Sequence, residues 1–499
     1  MTYNPEFAMA LLLLIPLMAS CLIYIARNQP NIREAFTLIA AVLLLTNVVH
    51  LVMHVSGGAR PELLLGTFAG KFEIKFVLEP LGAVFAAIAS SLWLLNSLFA
   101  IGYMRGNKEK HQARFYGFVA IAIAAAMGIA AAGNLITLFL FYEALTLSTI
   151  PLVTHKGDKK AIRGGTIYTV ILMGTSLALL LPAIVGTQVI AGTTDFIVGG
   201  VFPPETTLLT TSILLLLFAF GIGKAALMPV HPWLPNAMVA PTPVSALLHA
   251  VAVVKAGVFT MLKVVVFTFG PSVTAATPAS TFLSWLAAFT IVMASIIALR
   301  QDNLKARLAY STVSQLAYIT LGAMLAAPMA IIGGALQIVM HAWGKITLFM
   351  CAGAIYTVAH RTEISKLDGL GRSMPWVFGA FLIGSVSIIG IPPMGGSWPK
   401  FFLMAGALDS GKSILLAALI ASSVLNVIYL VPIAARGFLK PPQNPEEDAH
   451  IRSLVKQHRW VIIPPVLTAL GAFVLFFFAG PIVDFLTPVL PGGVLSGGA

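Results

Sequence analysis

Ser212-Ile213-Leu214-Leu215-Leu216-Leu217-Phe218-Ala219-Phe220-Gly221-Ile222-Gly223-Lys224-Ala225-Ala226-Leu227-Met228-Pro229-Val230-His231-Pro232-Trp233-Leu234-Pro235 is an apolar run that carries one lysine and then meets three prolines. A hydrocarbon core of about 30 Å takes about 20 apolar residues as helix, so the run reads as a membrane span. Proline removes a backbone donor and clashes with the preceding turn, so the helix must break at Met228-Pro229. A broken helix at that depth persists only where protein buries it or where it lines a hydrated cavity. A lysine placed just before such a break points to an internal path.

The same pattern extends outward. The chain has 499 residues, 58% hydrophobic and 10% charged, and a mean hydropathy of +0.94. Soluble domains carry roughly 25% charged residues to hydrate their surface. Composition therefore excludes a soluble enzyme, a nucleic-acid binder and a disordered chain. Fourteen spans are expected, near 7–26, 34–55, 78–104, 114–132, 134–155, 163–187, 208–230, 243–267, 280–299, 306–325, 329–359, 374–407, 411–435 and 460–484. The twelfth is cut, like the seventh, at Ile391-Pro392-Pro393-Met394-Gly395-Gly396. Met1 to Phe7 lacks the basic region of a signal peptide, so the first run is expected to stay as a helix.

The net charge is +12. With loops assigned alternately and the N-terminus outside, 21 lysines and arginines fall in inside loops and only Arg60, Lys71, Lys75 and Lys412 outside. That bias places both termini outside the cytoplasm of a bacterial inner membrane. Spans four to eight contain a broken fourth member with Lys224, and spans nine to thirteen a broken fourth member with Lys400. Five is odd, so consecutive units enter from opposite sides. The expected fold is an all-α polytopic membrane protein with about fourteen transmembrane helices and two inverted five-helix repeats. The expected divisions are 1–110, 111–268, 280–436 and 437–499.

Lys224, Lys255, Lys263, Lys345 and Lys400 lie inside spans, with Glu143 in the middle of the fifth. A charge at the bilayer centre costs about 2.5–3.5 kcal/mol even on a lenient insertion scale, so such residues face a partner or a hydrated path. Glu143, Lys224, Lys255 and Lys400 are the expected proton-transfer groups. Lys263, near a span end, is expected to snorkel to the interface. Lys345 serves either the path or backbone carbonyls freed by a distortion. His341 lies one turn before Lys345, and His249 lies six residues before Lys255. Histidine titrates near pH 6.5 and suits a relay, although a satisfied core histidine reads equally well. His50 and His54 lack further ligands for a metal. Cys21 and Cys351 are far apart and form no CxxC, so no thiolate-held redox cofactor is expected. There is no phosphate-binding loop and no nucleophile elbow.

Gly223-Lys224 with Met228 to Ala237 resembles the seventh-helix signature of the antiporter-like membrane subunits. That family is shared by respiratory complex I and Mrp-type cation/proton antiporters. Ala240 to His249, Leu308-Ala309-Tyr310-Ser311-Thr312-Val313-Ser314-Gln315 and Leu367 to Pro375 are similar as well. Val254-Lys255-Ala256-Gly257 is most similar to the D-type subunit of Mrp antiporters, whereas Lys400 replaces the glutamate of one complex I subunit. The resemblance implies that Glu143, Lys224, Lys255 and Lys400 transfer protons and that homologous subunits stand alongside. The implied function is proton translocation in a Na+/H+ antiporter, by a transporter subunit that is not itself an enzyme. Two alternatives remain at this point. One is a proton-pumping subunit of an NADH:quinone oxidoreductase or membrane-bound hydrogenase. The other is a membrane partner in proton-driven inorganic-carbon uptake.

Overall fold

The computed structural model describes residues 4–68, 72–442 and 445–493, without the side chains of 248–250 and 445–448. Two helices, α1 (Pro5–Ile25) and α2 (Pro30–Ser56), open the chain, each with proline in its first turn. There the missing N–H is not needed and the fixed φ suits a helix. An antiparallel hairpin follows, β1 (Glu62–Phe68) and β2 (Phe72–Val77). It corrects the all-α expectation. Its backbone groups find partners because β2 lies against the next interhelical turn: Val77 N donates to Ala131 O at 2.7 Å, and Gly133 N to Lys75 O at 2.8 Å.

Next come α3 (Pro80–Gly106), α4 (Gln112–Ala130), α5 (Leu135–Val153) and α6 (Lys159–Thr175). The last continues through a widened turn, Ser176–Leu180, into α7 (Leu181–Ala191). Glu79, Asn134 and Asp158 accept first-turn N–H groups at the heads of α3, α5 and α6, which fixes where those helices start. α8 (Leu208–Gly221) stops just before Lys224, which sits in a 3₁₀ turn, Gly223–Ala225. α9 (Trp233–Asn236) continues beyond the break. Trp233 Nε1 donates to Gly223 O at 3.0 Å, a carbonyl that also accepts the Ala226 N–H.

The eighth predicted span is divided too, into α10 (Thr242–Ala250) and α11 (Val253–Lys263), and α11 widens over Val264–Phe269. Then come α12 (Pro271–Ala276), α13 (Pro278–Leu299), α14 (Leu304–Leu325) and α15 (Pro328–Ala359). The twelfth span is α16 (Pro375–Ile389) and α17 (Ser397–Asp409), separated at the predicted Pro-Pro-Met-Gly-Gly. α18 (Leu416–Leu439), α19 (Pro445–Gln457), α20 (Arg459–Val474) and α21 (Ala479–Leu486) complete the chain.

Among the described residues, ten helices are long and apolar enough to cross a membrane, or eleven if the bent pair Arg459–Val474 and Ala479–Val489 is one span. The predicted spans missing from that number are those divided by breaks, whose separate pieces are each too short. α14 and α15 stand at the centre, with 94% of their most apolar windows buried, against 33% for α1, α2 and the α18 segment. The centre is therefore where buried polar residues cannot reach water.

Candidate functional site: a row of buried lysines

Lys224 is fully buried. Its Nζ donates to Tyr142 O at 2.8 Å and to Thr146 Oγ1 at 2.6 Å, and lies 3.2 Å from the centre of the Tyr142 ring. Tyr142 and Thr146 are four apart on α5 and share a face. Glu143 follows Tyr142 by one residue, about 100° further round the helix. Its two carboxylate oxygens are buried with no hydrogen-bond partner among the described residues. No ion pair joins Lys224 to a carboxylate there. Lys224 therefore holds the Tyr142 carbonyl and ring and the Thr146 hydroxyl, and not the Glu143 carboxylate next to them.

Lys255, on α11, is also fully buried. Its Nζ lies 2.7 Å from His341 Nδ1 on α15. Either Nζ donates to the Nδ1 lone pair or a neutral amine accepts from Nδ1–H, so the contact is made in both protonation arrangements. Sequence reading placed His341 with Lys345 on one helix face, whereas the fold gives it to Lys255. The second predicted relay, His249, sits on α10, and its side chain lies outside the described residues. Lys345 Nζ reaches Ser311 Oγ at 2.6 Å and the Leu308 carbonyl at 3.4 Å on α14. Lys400 Nζ donates to Ile389 O at 2.6 Å and Ser423 Oγ at 2.8 Å. The Ile389 carbonyl is free because α16 ends there, and a cation suits the negative end of a helix. Lys400 also lines a cavity of about 570 Å³ between α16, α17 and α18.

Lys263 corrects the snorkelling expectation. It is fully buried, 3.1 Å from Glu79 Oε1, and donates to Ala132 O at 2.7 Å. The sequence offered one signal for this, a carboxylate directly before the proline that opens a span, but no signal for which lysine it meets. Lys305 was missed entirely because it reads as a loop residue. Its Nζ donates to Ala240 O at 2.6 Å, and it lines a 250 Å³ cavity with Lys156, Lys160 and Arg361. Lys305 and Leu308, whose carbonyl Lys345 touches, are one turn apart on α14.

Four of the five buried lysines thus hold neutral oxygen or nitrogen partners, and only Lys263 holds a carboxylate. Ion-paired lysines keep their protons, whereas lysines held by neutral dipoles in a dry interior can release them. Among the described residues, no group of three histidines, cysteines or carboxylates could hold a metal ion.

Residues 132–426 match the family described as "NADH:quinone oxidoreductase/Mrp antiporter, TM". The chain belongs to this family. It is a multi-pass membrane protein. The N-type subunit of the NADH-quinone oxidoreductase of Desulforudis audaxviator is 29% identical over 425 residues, covering 82% of this chain and 83% of that one. The D-type subunit of the Na(+)/H(+) antiporter of Alkalihalophilus pseudofirmus is 26% identical over 478 residues, covering 95% and 94%. In structure the chain is similar to one in the Mrp complex from Dietzia sp. DQ12-45-1b, with TM-score 0.84 and 21% identity over 97% of this chain and 96% of the other. A chain of the archaeal membrane-bound sulfane sulfur reductase has TM-score 0.78 at 21% identity, covering 96% and 99%. At these identities the structures share the fold with this antiporter-like chain.

Proposed function

We propose that this antiporter-like chain is the proton-translocating subunit of a multisubunit Na+/H+ antiporter, and not an enzyme. Glu143, Lys224, Lys255 and Lys400 transfer the protons, assisted by His249, His341 and Lys345. It works beside homologous subunits in a bacterial inner membrane, crosses it fourteen times and keeps both termini outside. Its working halves are inverted repeats over 111–268 and 280–436, flanked by 1–110 and 437–499. The observation that carries this reading is the direct contact of Lys255 with His341, set among buried lysines that lack carboxylate partners. Ionisable groups at membrane depth are costly and mark proton or ion paths.

The test is cation-induced collapse of ΔpH in everted vesicles from an antiporter-deficient host expressing the chain with its genomic neighbours. Transport is expected from the assembly and none from the chain alone. Lys400→Met is expected to abolish it at normal expression. Lys400→Arg leaves at most weak activity, because guanidinium does not release its proton. Robust antiport by the single chain, or wild-type rates in Lys400→Met, overturns the reading. The similarity to the N-type oxidoreductase subunit favours a second reading, a proton-pumping subunit of a redox-driven complex. In that case the purified assembly acidifies vesicles on quinone reduction and ignores Na+.

A further inference from the structure

Lys305 stands at the head of α14, yet its side chain is half-buried and turned inward rather than stretched into water. Its Nζ donates to Ala240 O at 2.6 Å, just before α10. An ammonium has three donors, so two remain for another partner. The cavity it lines, about 250 Å³, also receives Lys156 from before α6, Lys160 from the first turn of α6 and Arg361 from just beyond α15. Asp158 is the one carboxylate among the described residues lining it, and its Oδ1 already accepts the Ala161 N–H at 2.7 Å. Among the described residues, no ion pair joins Lys156, Lys160 or Lys305 to a carboxylate. Four cations thus share one small cavity with a single carboxylate that serves a helix head. A second cavity, of about 620 Å³, shares Lys156 and Tyr356 with the first and is lined by Lys108, Glu109 and Lys110.

We propose that this cavity binds a phosphate group, carried either by a soluble phosphate compound or by a phospholipid headgroup. The proposal goes beyond the transport reading and does not depend on it. Like charges gathered at half-buried depth repel one another unless an anion lies between them. A phosphate monoester carries about −1.5 to −2 charges at pH 7 and three strong acceptor oxygens. Lys156, Lys160 and Lys305 supply compact point charges, and Arg361 a planar fork that suits two oxygens of one phosphate. A carboxylate would bring one charge and two oxygens to the same four cations, which leaves most of the repulsion in place. The heads of α6 and α14, capped by Asp158 and Asn303, also line the cavity, and their positive ends add to the field that the cations set up. The adjoining cavity gives room for whatever the phosphate is esterified to. Orientation of the chain in the membrane accounts for basic loops as such. It asks for neither an inward lysine nor a cavity shared by four cations.

The experiment uses the full chain with its genomic neighbours, purified in a zwitterionic detergent without phosphate. One arm measures binding of radiolabelled orthophosphate by equilibrium dialysis. The other places the same protein in nanodiscs of phosphatidylcholine with a little phosphatidic acid and reads which lipid stays bound after transfer to detergent. Binding in one arm is expected, weakening as salt is added. Lys305→Gln and the double variant Lys156→Gln/Lys160→Gln should each lower it roughly tenfold or more, as the loss of a charge-assisted hydrogen bond does. Lys305→Arg should retain it. Loss of orthophosphate binding in the variants supports the site with a soluble ligand. Loss of phosphatidic acid retention, with no orthophosphate bound by wild type, supports it with a lipid headgroup. Equal binding by wild type and both variants, or no binding of either probe, overturns it. Should Lys305→Gln not assemble, the double variant decides, because Lys156 and Lys160 are exposed. Wild-type rates in Lys400→Met would bring down the transport reading and leave this site untouched.

Discussion

Tyr142 and Glu143 are adjacent in sequence, yet only the first touches Lys224. Its carbonyl and ring occupy the ammonium, while the carboxylate is turned about 100° away and has both oxygens buried without a partner among the described residues. Closing the pair therefore needs a side-chain swing or a rotation of α5, which is what a switch requires and a static brace does not. Glu143→Gln is expected to leave the protein folded and assembled but without coupled transport, and Glu143→Asp to keep part of it. Wild-type vesicle transport in Glu143→Gln would remove the residue from the path. Lys263 and Glu79 show the opposite behaviour, a closed pair at 3.1 Å with both residues buried. Breaking one partner of a buried pair strands a charge at about 3–5 kcal/mol. Lys263→Met and Glu79→Gln should each lower thermal stability in detergent by that order, and the double variant by much less than their sum. Additive losses would show that the pair is not coupled.

Breaks position two of the lysines, Lys224 and Lys400. α8 ends before Lys224, and α16 ends at Ile389, whose free carbonyl Lys400 takes up. Both breaks follow from prolines visible in the sequence. The division of α10 from α11 carries no proline at the break and was not foreseen. The packing of α11 against the Lys224 turn depends on Gly257, where a Cβ would lie 2.3 Å from Ala225 N and Lys224 C. Backbone cannot yield as a flexible side chain can. Gly257→Ala is therefore expected to push α11 from the break, losing about 1–3 kcal/mol of stability, as overpacking does, together with most of the transport. Unchanged melting and transport would show that the turn can shift at no cost. Gly390 performs a related service at the other break, with φ +85° and the Lys400 side chain packed against it.

For the whole molecule, charge gives direction and burial gives the centre. The bias of lysine and arginine toward alternate loops predicts that reporters within 105–114 or 441–458 face the cytoplasm. Those at 188–207 or after Ala499 should face the outside. The reverse labelling pattern would invert the topology. Burial puts α14 and α15 at the axis, and it is there that Ser311, His341 and Lys345 lie. The outer helices cover that axis, so its polar groups meet one another rather than the surroundings.

The sequence alone determined that this is a membrane protein. Apolar runs of bilayer length, a scarcity of charge and the Met228-Pro229 and Pro392-Pro393 breaks are local features, and hydrophobicity and proline sterics act locally. It also singled out the lysines, because a charge in an apolar run is costly whatever surrounds it. Which groups meet was decided by the tertiary structure. Lys255 finds His341 across 86 residues, and Lys263 finds Glu79, still further away in sequence, where α11 packs against the head of α3. Lys345 reaches Ser311 on the neighbouring α14, and Lys224 bonds the Tyr142 carbonyl rather than the adjacent Glu143 carboxylate. The β-hairpin likewise exists because the α4–α5 turn offers its backbone an edge. Helical periodicity fixes a residue's face, but only the packing of one helix on another fixes what that face meets.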